Sequence, residues 1–291
     1  TGFNSSCYIS VIIGSILYMI GDFTTVNGNS WNQIAAFNIV TSVWFNPFGT
    51  GLTGASASTR SLIAVGSVLY VGGNFTTVNG NTSWNRIAAF DTTTNTWFNP
   101  FGTGLNSTCN TLTVLNSILY VGGNFTTVNT TNSWNRIAAF NILTSTWFNP
   151  FGTGLNGTCY ITTIAGSILY VGGGFTTVDV NSWNSIAAFN TITSVWFNPF
   201  SNGLTGGGGL CSALKCVGSN LYVGGNFTTV NGNAWLNIAV FNIVTNIWSN
   251  PFGSGLNLVC NNILSFGNTI YVSGAFSSVN GNSWNRIAAY D

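Results

Sequence analysis

The chain has 291 residues but only five Lys or Arg, four Asp or Glu and no His, so 3% of it is charged where ordinary soluble proteins carry roughly 25%. With a net charge near +1 there is no basic stripe for phosphates, which excludes a nucleic-acid binder and argues against an anionic membrane surface. At 45% hydrophobic and 14% aromatic the chain can still bury a core, and its longest apolar stretch, Val11 to Ile20, is broken by Gly14 and Ser15, far short of the roughly 20 residues that span a bilayer.

One period repeats along the whole length. The tyrosines of a Leu-Tyr or Ile-Tyr pair fall at Tyr18, Tyr70, Tyr120, Tyr170, Tyr222 and Tyr271, between 49 and 52 residues apart. A period of this size marks stacked units, each burying its apolar face on its neighbours. The spacing predicts units over approximately 1–50, 51–103, 104–153, 154–203, 204–254 and 255–291, together one domain over 1–291.

Within a unit the predicted elements are short strands bounded by Asn, Gly and Ser turns. The third unit runs Cys109-Asn-Thr-Leu-Thr-Val-Leu, then Ser117-Ile-Leu-Tyr-Val-Gly-Gly-Asn-Phe, then Arg136-Ile-Ala-Ala-Phe-Asn, then Thr146-Trp-Phe-Asn-Pro-Phe. Four strands per unit in six units predict an all-β fold, a β-propeller of six four-stranded blades, or seven should another repeat follow. The second strand ends in Gly-Gly at 72–73, 122–123, 172–173 and 224–225, and in a single glycine at Gly21 and Gly274. The third strand carries Phe37, Phe90, Phe140, Phe189, Phe241 or Tyr290, and the first five are followed seven residues later by Trp44, Trp97, Trp147, Trp196 and Trp248. All five prolines (Pro47, Pro100, Pro150, Pro199 and Pro251) come three residues after those tryptophans. Because proline cannot donate to a ladder, this position predicts a fourth strand on an outer edge that the proline itself protects.

The phase of the repeat carries a further expectation. The chain opens on residues equivalent to Thr103-Gly-Leu-Asn-Ser-Thr-Cys109, just after a fourth strand, and closes on Ile287-Ala-Ala-Tyr-Asp291, just after a third. Blade six is therefore expected to lack its outer strand. The natural polypeptide is expected to continue with something like Thr-x-x-Trp-x-Asn-Pro-Phe, unless another segment fills that edge. No secretory leader is evident and residue 1 is Thr, which fits a mature product or a fragment.

Gly-Gly at a strand end followed by an aromatic-Asp/Asn-x-x-Thr-x-x-Trp turn, as in Phe90-Asp91-Thr-Thr-Thr94-Asn-Thr-Trp97, resembles the kelch repeat. The run Leu-Tyr-Val-Gly-Gly-Asn-Phe-Thr-Thr-Val-Asn-Gly resembles the kelch-like repeats of secreted and cell-surface microbial proteins. The resemblance covers all six units, although Ile20 and Ser273 replace the first glycine in units one and six. It implies four-stranded blades with the first strand innermost, and it implies no particular activity.

The candidate sites follow from the repeat. General acid–base chemistry needs a histidine or a tuned carboxylate with a partner. Here Asp22, Asp91, Asp179 and Asp291 lie in different units, at positions filled elsewhere by neutral residues, so no catalytic residue, metal or cofactor is expected. Cys7, Cys109, Cys159, Cys211 and Cys260 each precede their tyrosine by eleven residues, with Thr59 in the same slot of unit two and Cys216 as an extra. They read as buried thiols or as disulfide cysteines of an oxidising compartment, with a thiolate metal site a third alternative. Sequons at Asn4, Asn74, Asn81, Asn106, Asn124, Asn129, Asn156 and Asn226 permit glycosylation, and Asn74, Asn124 and Asn226 share one repeat position that makes them the chosen candidates. For ligand binding the candidates are the loop tryptophans Trp31, Trp84, Trp134, Trp183, Trp235 and Trp284, with Arg86, Arg136 and Arg286 two residues after three of them. Such a Trp can stack on a sugar ring, or it can be a wedge between blades.

The expectation is therefore a non-enzymatic extracellular or particle-surface module for structure or assembly, part of a longer protein. Its partners would be copies of itself or other surface proteins. A carbohydrate-binding propeller that uses the loop tryptophans is the alternative.

Overall fold

In the computed structural model, which describes residues 2–54 and 57–291, every repeat becomes an antiparallel sheet and none of the described residues is helical. Thr1, on which the first repeat opens, lies outside the described residues. β-Branched and aromatic residues at alternate positions favour the pleated, half-buried surface of a strand, and Gly or Asn in the left-handed region turns the chain between strands.

Two compact units divide the chain, Thr1–Asn149 and Pro150–Asp291. In the first, blade one pairs Cys7–Ile13, Ile16–Gly21, Ile34–Asn38 and Val43–Phe45 in sequence order. Blade two pairs Thr59–Val65, Val68–Gly73, Ile87–Asp91 and Thr96–Phe98, and blade three Cys109–Leu115, Ile118–Gly123, Ile137–Asn141 and Thr146–Phe148. In the second unit, blade four pairs Cys159–Ala165, Ile168–Gly173, Ile186–Asn190 and Val195–Phe197. Blade five pairs Leu210–Val217, Asn220–Asn226, Ile238–Asn242 and Ile247–Ser249. Blade six holds three strands, Cys260–Phe266, Thr269–Gly274 and Ile287–Tyr290. The fold class is thus all-β, with six propeller-type blades, three to a unit.

Inside each unit the first strands of successive blades neighbour one another, and the fourth strand is the opposite edge of its sheet. The fourth strand is the predicted edge, but the prolines do not sit on it. Each lies two residues beyond the strand in an Asn-Pro-Phe turn, where Asn46 Oδ1 accepts from Phe48 N–H at 3.0 Å and Asn46 Nδ2 donates to the Gly49 carbonyl at 2.9 Å. What limits the edge is its length of three residues, a recognised way of keeping an edge from pairing with other chains.

That turn delivers the main rivet between blades. Phe48, fully buried, leaves blade one and packs on Phe90 (centroids 4.6 Å apart) and Trp97 (5.9 Å) of blade two, and Trp97 Nε1 donates to the Phe48 carbonyl at 3.1 Å. Phe101 does the same with Phe140 and Trp147, Phe151 with Phe189 and Trp196, and Phe200 with Phe241 and Trp248. Each buried Phe contributes about 2 kcal/mol by area and each aromatic pair roughly 1 kcal/mol more. A short ribbon adds to the rivet: Leu52–Thr53 pairs with Thr77–Val78, and Leu204–Thr205 with Thr229–Val230.

In three of the doublets the first glycine faces a cysteine one period onward. A Cβ at Gly72, Gly172 or Gly224 would lie 2.5 Å from the Sγ of Cys109, Cys211 or Cys260. Each of these cysteines sits at a β-bulge, and its thiol points to the carbonyl two residues on. In blade two Thr59 takes the slot, and its Oγ1 donates to the Gly21 carbonyl at 3.0 Å.

Candidate functional site

The four carboxylates are spread over different blades, each with a local task. Tyr8 donates its hydroxyl to Asp22 Oδ2; the nearby Asp22 carboxylate is the main cause of the raised Tyr8 pKa. Asp91 Oδ1 accepts from the Thr93 backbone N–H at 2.8 Å, closing its turn. Asp179, with φ of +52°, takes the backbone N–H of Thr153 at 2.9 Å and its hydroxyl at 3.1 Å. Asn79 and Asn129 receive Thr50 and Thr103 in the same way. Asp291 accepts from the Thr269 hydroxyl at 2.9 Å. Among the described residues no three His, Cys, Asp or Glu side chains gather as metal ligands.

None of Cys7, Cys109, Cys159, Cys211, Cys216 and Cys260 forms a disulfide in this structure, where the disulfide expectation is therefore not met. The physical reason is clearest at Cys109, Cys211 and Cys260, whose sulfurs are packed against a glycine of the neighbouring blade rather than another sulfur. Burial raises the pKa of Cys159 and Cys260 to about 12 and pushes Cys211 up as well, which keeps these thiols protonated and unreactive. Cys7 is exposed and Cys216 half-buried, and both are also raised by desolvation.

The glycosylation candidates Asn74, Asn124 and Asn226 occupy equivalent places in their blades. All three are half-buried at the end of a second strand. Arg86 Nη1 donates to the Asn74 carbonyl at 3.1 Å and also to Asn74 Oδ1, while Arg136 Nη1 donates to the Asn124 carbonyl. These two arginines are therefore tied to the second strand of their own blade. They occupy a left-handed backbone position, φ +69° at Arg86 and +68° at Arg136. The same slot holds Ser185 and Asn237, both buried, which hydrogen-bond the Gly209 and Leu256 carbonyls. Burial lowers the Arg86 pKa. Arg286 is exposed.

The loop tryptophans Trp31, Trp84, Trp134, Trp183 and Trp235 are half-buried, and Trp284 is exposed. Trp84, Trp134 and Trp235 pack beside Trp97, Trp147 and Trp248 against the cores of their units. Trp31 and Trp44 lie 6.5 Å apart. In blade two this pairing leaves a cleft of about 350 Å³ lined by Trp84, Trp97, Pro47, Asn79, Asn81 and Asn95. The cleft is free of charge, with aromatic walls and amide groups at its rim. Since Trp97 Nε1 is committed to the Phe48 carbonyl, Trp97 offers a surface and no donor. The fourth-strand tryptophans and Asn79, Asn81 and Asn95 were not anticipated as cleft residues; the constant loop-Trp to fourth-strand-Trp spacing was the available signal.

The blades define a chain of β-propeller type, and the comparisons with known proteins bear on that fold alone. No family model matches the sequence, and neither does any curated protein. Among solved structures it is similar to the computationally designed Ika8 protein, with a TM-score of 0.60 and 14% identity over 96% of this chain and 71% of that one. It is also similar to the extracellular domain of the putative one component system BT4673 from B. thetaiotaomicron, with a TM-score of 0.61 and 14% identity over 98% of this chain. The chain spans 32% of the length of that second protein. Among the described residues no helix is long and apolar enough to cross a membrane.

Proposed function

We propose that this chain is a non-enzymatic, extracellular or particle-surface assembly module built from kelch-type repeats. The observation that carries the proposal is a repeated aliphatic tip on the turn between third and fourth strands. Val40, Leu143, Ile192 and Val244 are each at least 75% exposed, and Val43, Val195 and Ile247 beside them more than half exposed. Each tip is held out because its backbone N–H is tied to the preceding Asn side chain, as Leu143 is to Asn141 at 2.9 Å. Net charge keeps most soluble proteins apart; this chain combines almost none with a projecting aliphatic set. The extracellular placement draws on the B. thetaiotaomicron domain, which is described as extracellular.

Sedimentation velocity tests the proposal. The chain should self-associate with rising concentration, equally at low and high salt, and a V40K/L143K/I192K/V244K variant with an unchanged melting curve should stay monomeric. A native chain that remains monomeric throughout would refute it. The cleft at Trp84 favours carbohydrate binding as a second reading: a neutral glycan would then bind the native chain and lose affinity in W84A and W134A. Failure of every glycan on a broad array to bind would end that reading.

A further inference from the structure

Arg86 lines a cleft of about 250 Å³ between blades two and three, together with Thr103, Asn106 and Thr130. No acidic side chain lines it. Within the guanidinium, Nη1 is tied to the Asn74 carbonyl and to Asn74 Oδ1, but the buried Nε–H has no hydrogen-bond partner. Burial lowers the Arg86 pKa, so this cation has lost part of its hydration while the cleft supplies no counter-charge. An unsatisfied donor and an unbalanced positive charge in one side chain are both met by an anion.

We propose that this cleft is a binding site for a small hydroxylated carboxylate of the uronic acid type. With Nη1 committed to Asn74, the guanidinium keeps its Nε–Nη2 edge, the planar fork that receives a carboxylate in two parallel bonds. The Thr103 hydroxyl donates to Asn129 Oδ1 at 3.2 Å and the Thr130 hydroxyl to the Asn129 carbonyl at 2.8 Å. Both hydroxyl oxygens can still accept, and the hydroxyl groups of a sugar acid are donors for them.

Two comparisons within the chain single out this cleft. Thr130 holds a left-handed φ of +62°, where four other units have Gly28, Gly80, Gly232 and Gly281 at φ between +76° and +83°. A β-branched residue is disfavoured there, and residues held in such conformations cluster at ligand sites. Here the residue so held lines the cleft. Between blades four and five, Asn184, Ser185, Leu204 and Thr205 stand where Asn85, Arg86, Leu105 and Asn106 stand, and they line a corresponding cleft. There the Ser185 hydroxyl donates to the Gly209 carbonyl, and no lining residue is charged. The hollow thus belongs to the repeat, and the cation is added to it in blade two. The site shares no lining residue with the Trp84 cleft and does not depend on self-association.

The test is isothermal titration of the 291-residue chain with sodium D-glucuronate at fixed ionic strength. D-Glucose, which lacks the carboxylate, and sodium acetate, which lacks the hydroxyls, serve as controls. Saturable glucuronate binding is expected, with glucose about tenfold weaker or more, acetate also weaker, and a loss of about tenfold or more in R86Q. Gln33 occupies the same slot at φ +64°, so glutamine suits that backbone. Absence of saturable binding, equal affinity for glucose or acetate, or unchanged binding by R86Q overturns the proposal. Should R86Q fail to fold, the Arg86 Nε–H resonance of the native chain decides: a shift on titration with glucuronate supports the site, and an unmoved signal overturns it.

Discussion

Replacing Gly72 by alanine tests the packing between blades two and three directly. The added Cβ would lie 2.5 Å from Cys109 Sγ, 3.1 Å from Cys109 Cβ and 3.5 Å from Leu112 Cδ1. The first distance is untenable, the second tight and the third ordinary, so the sulfur is the main cause of the conflict. Overpacking of this kind costs about 1–3 kcal/mol. C109A removes the sulfur and by itself costs about 1 kcal/mol, the worth of one buried methyl-sized group. In the double variant the new methyl fills the space the sulfur leaves. The two changes should then couple favourably by about 1–2 kcal/mol, well beyond the additivity expected of independent sites. Urea unfolding followed by tryptophan fluorescence supplies the four free energies, provided the m-value stays constant across the cycle. G73A is the control: its Cβ would run into the Ser58 carbonyl and lie 2.9 Å from Thr59 Cα, so no cysteine change can rescue it. An additive cycle at Gly72 and Cys109, or a neutral G72A, would refute the sulfur-into-glycine account.

Two other outcomes follow from the same structure. Cys159 and Cys260 are raised from 9.0 to about 12 when folded, so the native state holds protons that the unfolded chain releases. Stability should be full below pH 9 and fall as pH climbs from there towards 12, by about 1 kcal/mol per buried thiol at pH 10, and C159A/C260A should flatten that fall in alkaline urea titrations. Asp179 acts only as an acceptor for Thr153 at a left-handed position. D179N should change stability by less than about 0.5 kcal/mol, while D179A, which loses the acceptor and suits the backbone less well, should cost about 1–2 kcal/mol; thermal melts distinguish the two.

Much of this architecture is written in the repeat itself. Strand positions, the Gly-Gly ends and the Phe/Trp spacing are local, and period-two alternation with turn residues is read within a dozen residues. The partner of the Trp97 indole is not local: it is a carbonyl 49 residues earlier, visible only when one unit is laid over the next. The same comparison would have exposed the cysteines. Gly72, Gly172 and Gly224 face Cys109, Cys211 and Cys260, whereas Ile20 stands in the unit that precedes Thr59, so the two positions change together across an interface. The hydrogen bonds of Arg86 and Arg136 were hidden for a different reason. Their direction is set by a left-handed φ at a bulky residue, which nothing in the type of residue announces. The variety in that slot (Gln33, Arg86, Ser185 and Asn237) was the remaining clue that it holds hydrogen-bonding pegs. The prolines suggested a guarded strand, yet they belong to the turn that launches the rivet.

That rivet has a consequence for how such a chain can change in length. The covalent repeat is out of step with the blade, since each Asn-Pro-Phe turn closes one sheet and plugs the next. A duplication or deletion of one full period, wherever its breakpoints fall, rejoins a plug to a socket it already fits. Breakpoints separated by any other length would strand an aromatic plug without a socket. Unequal recombination between neighbouring repeats can thus add or remove whole blades while every plug keeps a socket.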